Sequence, residues 1–119
     1  MVAHDPDEDA RRLSGEALRR GDATGWFERL YAEAAGGQAI VPWDRGAPHP
    51  LLVEWIDQVP ILAGRRTLVV GSGLGEDAAY LAAKGYRVIA FDISGSAIDT
   101  ARRRFPTSPV DFRVADLLN

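Results

Sequence analysis

The residues with the clearest chemical potential form a glycine-rich segment, Gly71-Ser72-Gly73-Leu74-Gly75, between an apolar run and a helical pattern. Such a turn lets a ligand approach the backbone closely and exposes the amides at the start of the following helix. The segment therefore indicates a site for a polar or anionic ligand. A purely structural turn is the alternative, because short glycine motifs also occur without a ligand.

The spacing of the glycines favours some ligands over others. A dinucleotide-binding turn, G-x-G-x-x-G, needs glycine or alanine where this chain has Glu76. The phosphate-binding loop G-x-x-x-x-G-K-S/T is excluded because its lysine and hydroxyl residues are missing. A nicotinamide cofactor is thus disfavoured. The remaining pattern is G-x-G-x-G followed by an acid at the end of the next strand.

Two aspartates lie where such a pattern needs acids. Asp92 comes about 20 residues after the glycines, at the end of an apolar run, where a carboxylate can accept hydrogen bonds from ribose hydroxyls. With the glycines it favours an adenosine-type ligand, and a helix-capping aspartate is the alternative. Asp116 lies just beyond a third apolar pattern and could accept a bond from an adenine amino group. Its alternative is a solvated loop residue.

Alternating strand and helix patterns position these residues. We predict strands at 67–70, 87–91 and 110–114, and helices at 76–84 and from Ser94 or Ser96 to just before Pro106. This alternation predicts an α/β fold with a parallel sheet. The apolar run at 67–70 predicts a first strand buried on both faces. Ser96 and Asp99 predict a capping box.

Three helices are predicted before the sheet, within residues 1–63. They run from Asp5 to Arg20, from a cap at Asp22 or Thr24 to Gly36-Gly37, and from Pro50 onward, with a loop at 38–49. In the first helix, which is predicted to be amphipathic, the apolar residues at helical spacing are Ala10, Leu13, Ala17 and Leu18. One face of the second has Trp26, Phe27, Leu30, Tyr31 and Ala34, and the predicted buried stripe of the third is Leu51, Leu52, Trp55 and Ile56.

Composition excludes several functional classes. The chain has 119 residues, 46% hydrophobic and 26% charged, as ordinary globular proteins have. A net charge of −3 disfavours nucleic acid and anionic membranes as partners. Without cysteine there are no disulfides or thiolate metal sites, so we predict no metal and a cytoplasmic location. His4 and His49 are interpreted as surface or loop residues, and no catalytic acid or base is assigned.

Three segments, VVGSGLGED, GYRVIAFDIS and SAIDTARRRF, resemble the first half of the class I S-adenosylmethionine-dependent methyltransferases, and residues 110–117 resemble their third strand. Upstream, the segment 43–48, WDRGAP, resembles the W-D-x-G-x-P element of the thiopurine and halide/thiol methyltransferase group. The resemblance implies S-adenosylmethionine as cofactor and a small-molecule methyl acceptor. It also implies a three-layer, Rossmann-like fold. In this chain we expect the sheet to stop after three strands, in the order 3-2-1.

The resemblance also implies roles for individual residues. The glycine turn, with Gly71, Ser72, Gly73 and Gly75, would line the methionine and ribose of the cofactor. Asp92 would bind the ribose hydroxyls, Ile93 would pack beside the adenine, and Asp116 would hold the adenine amino group. Trp43 and Trp26 would cover the methionine end, where an aromatic face attracts the sulfonium. For Trp26, a core position is the alternative.

Residues 64–119 are therefore expected to form the cofactor-binding half of a methyltransferase, because the family's fold continues beyond three strands. In the family's strand order the first strand would then be a bare apolar edge. Such an edge templates pairing with another chain, so we expect a homo-oligomer formed through this strand. A non-catalytic α/β fragment that self-associates in this way is the alternative function.

Overall fold

The computed structural model describes residues 5–60, 62 and 64–117. The chain divides into two compact units, Met1–Asp44 and Arg45–Asn119. His4 lies outside the described residues. No helix among the described residues is long and apolar enough to cross a membrane.

The first unit contains two helices, α1 (Glu8–Arg19) and α2 (Gly25–Ala35). Both were predicted and are confirmed. Leu13 of α1 and Leu30 of α2 are fully buried. Leu18, although at helical spacing with the other apolar residues of α1, faces solvent, because it is turned about 100° around the helix axis from the buried Ala17.

Polar contacts fix the two helices of the first unit to each other. Arg12 of α1 lies 2.7 Å from the Glu33 carboxylate of α2, and Arg29 of α2 lies 2.9 Å from Glu16 of α1. Of the two predicted caps of α2, Asp22 supplies the side-chain acceptor: its Oδ1 accepts the Gly25 N–H at 2.9 Å.

The second unit alternates helices and strands. Its elements are α3 (Pro50–Gln58), β1 (Arg66–Val70), α4 (Glu76–Ala83), β2 (Arg87–Asp92), α5 (Gly95–Arg104) and β3 (Asp111–Val114). The strands are parallel in the order β1-β2-β3, with Leu68 opposite Ile89 and Ile89 opposite Asp111. The predicted α/β class and 3-2-1 strand order are confirmed.

The core of the second unit lies on one face of this sheet. Its buried residues are Ile56, Ala78, Leu81, Ala82, Val88, Ala90, Ile98, Ala101 and Phe112. Val69 packs against them, whereas Leu68 on the opposite face is 66% exposed and Val70 is also exposed. The predicted burial of β1 on both faces is therefore wrong. Successive side chains of a strand point to opposite faces, and the helices of the described residues cover only the face that Val69 shares with Ala90.

Helix α3 begins as predicted, with Pro50 in its first turn, but buries less than predicted. Ile56 is buried and Leu52 packs against the core, while Leu51 and Trp55 are exposed. Leu52 and Ile56 are four residues apart and share one stripe, and the stripe of Leu51 and Trp55 is turned about 100° away from it. Their predicted burial is wrong.

Two side chains cap helices of the second unit. His49, in a loop as predicted, accepts the Leu51 N–H through Nδ1 at 3.1 Å. Ser94 is the cap of α5, and its buried hydroxyl accepts the Ala97 N–H at 3.0 Å. Ser96 lies inside α5, so the capping box predicted for Ser96 and Asp99 is wrong.

Candidate functional site

The glycine turn joins β1 to α4 and has a left-handed backbone at each of its glycines. At Gly75, where φ is +87°, a Cβ would lie 2.9 Å from ring atoms of Phe112 and 3.0 Å from the Cβ of Ala101. Only glycine therefore fits where α4 begins against α5 and β3. At Gly71, where φ is +64°, a Cβ would meet no described atom within 4 Å. The turn is thus tightly packed against the protein at Gly75, whereas Gly71 borders open space.

Asp92, the last residue of β2, connects this turn to the next one. Its side chain is only 7% exposed. Oδ2 accepts the Gly73 N–H at 2.9 Å, and Oδ1 accepts the Ser94 N–H at 2.9 Å. A carboxylate oxygen has two lone pairs, so each oxygen can accept a further hydrogen bond. Asp92 can therefore hold the turn and still bind ligand hydroxyls.

Backbone hydrogen bonds hold the carboxyl ends of the three strands together. Ser72 donates its N–H to the Phe91 carbonyl, and Ala115 donates its N–H to the Asp92 carbonyl, both at 3.0 Å. The second bond fixes the segment after β3, where half-buried Asp116 follows directly. Ile93, also half-buried, follows β2. The predicted site residues of the second unit thus lie on connected turns at one edge of the sheet.

The polar groups around the turn favour a ligand with hydroxyl or amino groups over a phosphate. The first turn of α4 contains two acids, Glu76 and Asp77, which oppose an anion at this helix terminus. Glu76 is paired with Arg104 at 3.0 Å, and Asp77 accepts the His49 N–H at 2.8 Å. The hydroxyl of Ser72 is buried and has no hydrogen-bond partner among the described residues. A polar ligand group could supply that partner.

Trp43 and Trp26 belong to the first unit, where they lie together. The Trp43 indole donates to the Tyr31 hydroxyl at 2.8 Å, and its ring meets those of Trp26, Phe27 and Tyr31 edge-on at 6.2–6.3 Å between centroids. Trp26 stacks on Phe27 and is half-buried, while Trp43 is exposed. Sequence reasoning missed the polar role of Tyr31, which a helical apolar stripe does not reveal.

No group of three or more His, Cys, Asp or Glu side chains within residues 5–60, 62 and 64–117 could hold a metal ion.

Strand order, glycine turn and buried acid together define a Rossmann-like α/β protein with a candidate ligand site at the carboxyl ends of its strands. Comparison with protein families then identifies the lineage, since the thiopurine S-methyltransferase family matches residues 24–115. The chain belongs to this family, as the resemblance predicted.

Curated relatives agree with this assignment. Thiocyanate methyltransferase 1 of Brassica oleracea is 33% identical over 104 residues, which cover 87% of this chain and 42% of that protein. Thiocyanate methyltransferase 1 of Arabidopsis thaliana is 38% identical over 85 residues, which cover 71% of this chain and 35% of that protein. The chain spans less than half the length of these relatives.

Solved structures show the same fold. One, from a study of the conversion of a disulfide bond into a thioacetal group during echinomycin biosynthesis, has 34% identity and a TM-score of 0.65 over 77% of this chain and 40% of that one. Another is a SAM-dependent methyltransferase from Thiobacillus denitrificans in complex with S-adenosyl-L-homocysteine. It has 28% identity and a TM-score of 0.50 over 58% of this chain and 30% of that one.

Proposed function

We propose that this chain supplies the S-adenosylmethionine-binding part of a methyltransferase that acts on a small-molecule acceptor. The observation that carries the proposal is the Asp92 carboxylate, buried at the end of β2 and bonded to the Gly73 N–H of the glycine turn. In this proposal residues 64–119 form the cofactor-binding part. Residues 1–63 form an N-terminal helical segment that includes the W-D-x-G-x-P loop.

The residues of the second unit fit an adenosine-type cofactor. Open space beside Gly71 gives a ligand access to the backbone, and the Ser72 hydroxyl is a buried group in need of a partner. Asp92 offers lone pairs to two adjacent ribose hydroxyls. Ile93 and Asp116 follow β2 and β3, and we assign them to the ring and the amino group of the adenine. Glu76 and Asp77, in the first turn of α4, argue against a dinucleotide, because they oppose its negatively charged pyrophosphate.

When bound, S-adenosylmethionine would supply a methyl group on a sulfonium, for which the neutral thioether S-adenosylhomocysteine is a good leaving group. Methyl transfer then depends mainly on alignment of the acceptor and exclusion of water. The residues of this chain would bind and orient the cofactor, and the family resemblance assigns Trp43 and Trp26 to its methionine end, where an aromatic face attracts a sulfonium. No catalytic acid or base is assigned.

Calorimetric titration with S-adenosylhomocysteine tests the proposal. We expect saturable binding to the unaltered chain and a loss of about tenfold or more in affinity in Asp92→Ala, as expected when hydrogen bonds to a charged group are removed. Asp99→Ala is the matched control, because Asp99 is an exposed carboxylate on α5 and contacts Arg102 at 3.8 Å. Absence of heat with folded protein, or equal affinities of the Asp92 and Asp99 variants, would contradict the proposal. NADH fluorescence tests the nicotinamide alternative.

The proposal also includes the methyl acceptor and the cellular location. Both relatives described above are named thiocyanate methyltransferases, which supports a small molecule rather than nucleic acid or a membrane as the second partner. The cytoplasmic location stays a prediction from the sequence.

Self-association through β1 is a second candidate function, which the exposure of this strand favours. Among the described residues, β1 pairs with β2 alone, and its Leu68 and Val70 side chains are exposed. A second copy could pair with the free edge and extend the sheet.

Light scattering across micromolar concentrations tests this association. We expect a dimer or larger assembly that Leu68→Lys shifts toward monomer. Leu51→Lys is the control. Leu51 is 68% exposed and Leu68 is 66% exposed, but Leu51 lies on helix α3 and not on the strand that is proposed to pair. A monomer at every concentration would contradict the candidate.

A further inference from the structure

Asp9 is an acidic residue buried in the first unit. It lies in the first turn of the amphipathic helix α1, where an aspartate is normally solvated. Its exposure is only 5%. Burial of a carboxylate is costly unless hydrogen bonds compensate, so the contacts of Asp9 show what the position requires.

The Asp9 carboxylate joins α1 to the loop that follows α2. Its Oδ2 accepts the backbone N–H of Ile40 at 2.9 Å, over 31 positions of sequence. Its Oδ1 lies 3.4 Å from the Arg12 guanidinium, which also contacts Glu33 of α2 at 2.7 Å. Helix α1 thus holds both α2 and the start of the loop.

A tight turn connects this anchor directly to Trp43. Val41 follows Ile40 and is buried, and the Asp44 N–H donates to the Val41 carbonyl at 3.0 Å. Pro42 is the second residue of this turn, a position that proline favours because its φ is fixed. Trp43 comes next and bonds to Tyr31. The ring is therefore positioned by a stiff segment whose first residue is held by Asp9.

We propose that Asp9 is a positioning residue that fixes the Trp43 ring against Tyr31. Helix α1 lies outside the region matched by the family, residues 24–115, so this contribution is additional to the W-D-x-G-x-P element. Its consequence for ligand affinity rests on the proposed function, whereas its effect on the Trp43 ring does not.

Tryptophan fluorescence measures the ring directly. Trp26→Phe and Trp55→Phe together leave Trp43 as the single tryptophan of the chain. In this background we expect Asp9→Ala to red-shift the Trp43 emission and increase its quenching by acrylamide. Asp9→Asn should keep the original signal, because its amide oxygen can still accept the Ile40 N–H. Asp9→Ser, too short to reach Ile40, should behave as Asp9→Ala and replaces it if alanine prevents folding.

Affinity for S-adenosylhomocysteine is the second readout, measured in the otherwise unaltered chain. The lost hydrogen bond lies within the protein, so at most its own free energy can appear as affinity: we expect Asp9→Ala to weaken binding by up to about tenfold, and Asp9→Asn to restore most of it. Absence of binding to the unaltered chain would contradict the proposed function, while the fluorescence result would still decide the role of Asp9.

Glu16→Ala is the matched control. It removes the contact of α1 with Arg29 of α2 but does not reach the loop. We expect it to leave the Trp43 signal unchanged. A Trp43 signal that is unchanged in both Asp9→Ala and Asp9→Ser, or that changes equally in Glu16→Ala, or a failure of Asp9→Asn to restore it, would overturn the inference.

Discussion

Alanine at Gly75 should destabilise the protein far more than alanine at Gly71. Both positions have a left-handed backbone, with φ of +87° and +64°. They differ in what a methyl group would meet. At Gly75 it would press on the Phe112 ring at 2.9 Å and on Ala101 at 3.0 Å, whereas at Gly71 no described atom lies within 4 Å.

The magnitudes follow from these two terms. A left-handed backbone costs a residue with a Cβ about 1–2 kcal/mol, which applies at both positions. Overpacking of a dense core adds about 1–3 kcal/mol at Gly75 alone. We therefore expect Gly75→Ala to lower the free energy of unfolding by about 2–5 kcal/mol, and Gly71→Ala by about 1–2 kcal/mol. A small domain has only about 5–15 kcal/mol in total.

Urea unfolding followed by circular dichroism measures both variants, and Phe112→Leu isolates the steric term. Leucine lacks the ring atoms that the methyl group would contact, so Gly75→Ala should cost less in the Phe112→Leu background. Equal losses at Gly71 and Gly75, or a loss at Gly75 that Phe112→Leu leaves unchanged, would refute the reasoning. Affinity for S-adenosylhomocysteine should show a separate effect: Gly71→Ala should weaken binding despite its small effect on stability.

Three further predictions concern polar contacts. Ser94→Ala should lower the free energy of unfolding by about 1 kcal/mol through loss of the α5 cap, and Ser96→Ala, inside the helix, by clearly less; thermal denaturation compares them. The hydrogen bond from Arg29 lowers the pKa of Glu16 below its ordinary 4.5, so its stabilising effect is present above that pH and is lost as the pH falls through the folded-state pKa. The difference in unfolding free energy between the unaltered chain and Glu16→Gln should therefore shrink on acidification, and a difference constant with pH would contradict this. Asp92→Asn should weaken cofactor binding and also destabilise the protein by about 1–3 kcal/mol, because its amide has one acceptor oxygen for two backbone N–H groups.

The sheet was predictable because its signals are local. Apolar runs that end in glycine or aspartate, separated by helical patterns, are sufficient to predict parallel strands. The exposure of Leu68 and Val70 was not predictable in this way. An apolar residue on a strand has the same local pattern whether or not a helix covers it, and burial depends on which faces the other elements reach.

Contacts between residues distant in sequence account for the other differences. By local spacing, α3 has two apolar stripes that are equally suited to burial. Packing in the folded protein buries the stripe of Leu52 and Ile56 and leaves Leu51 and Trp55 exposed. Asp9 illustrates the same limit, since nothing near it in sequence indicates a bond to Ile40.

The sequence left two interpretations of Asp92, a helix-capping residue and a ligand for ribose. The cap of α5 is Ser94, and the structural role that Asp92 has instead, in the two turns, is compatible with ligand binding. One oxygen accepts the Ser94 N–H where α5 begins, and the other accepts the Gly73 N–H in the turn of β1. The same bonds that stabilise the two turns hold the carboxylate in a fixed orientation with lone pairs to spare. A preorganised acceptor loses little entropy on binding, so the structural role of Asp92 directly supports its proposed role in binding.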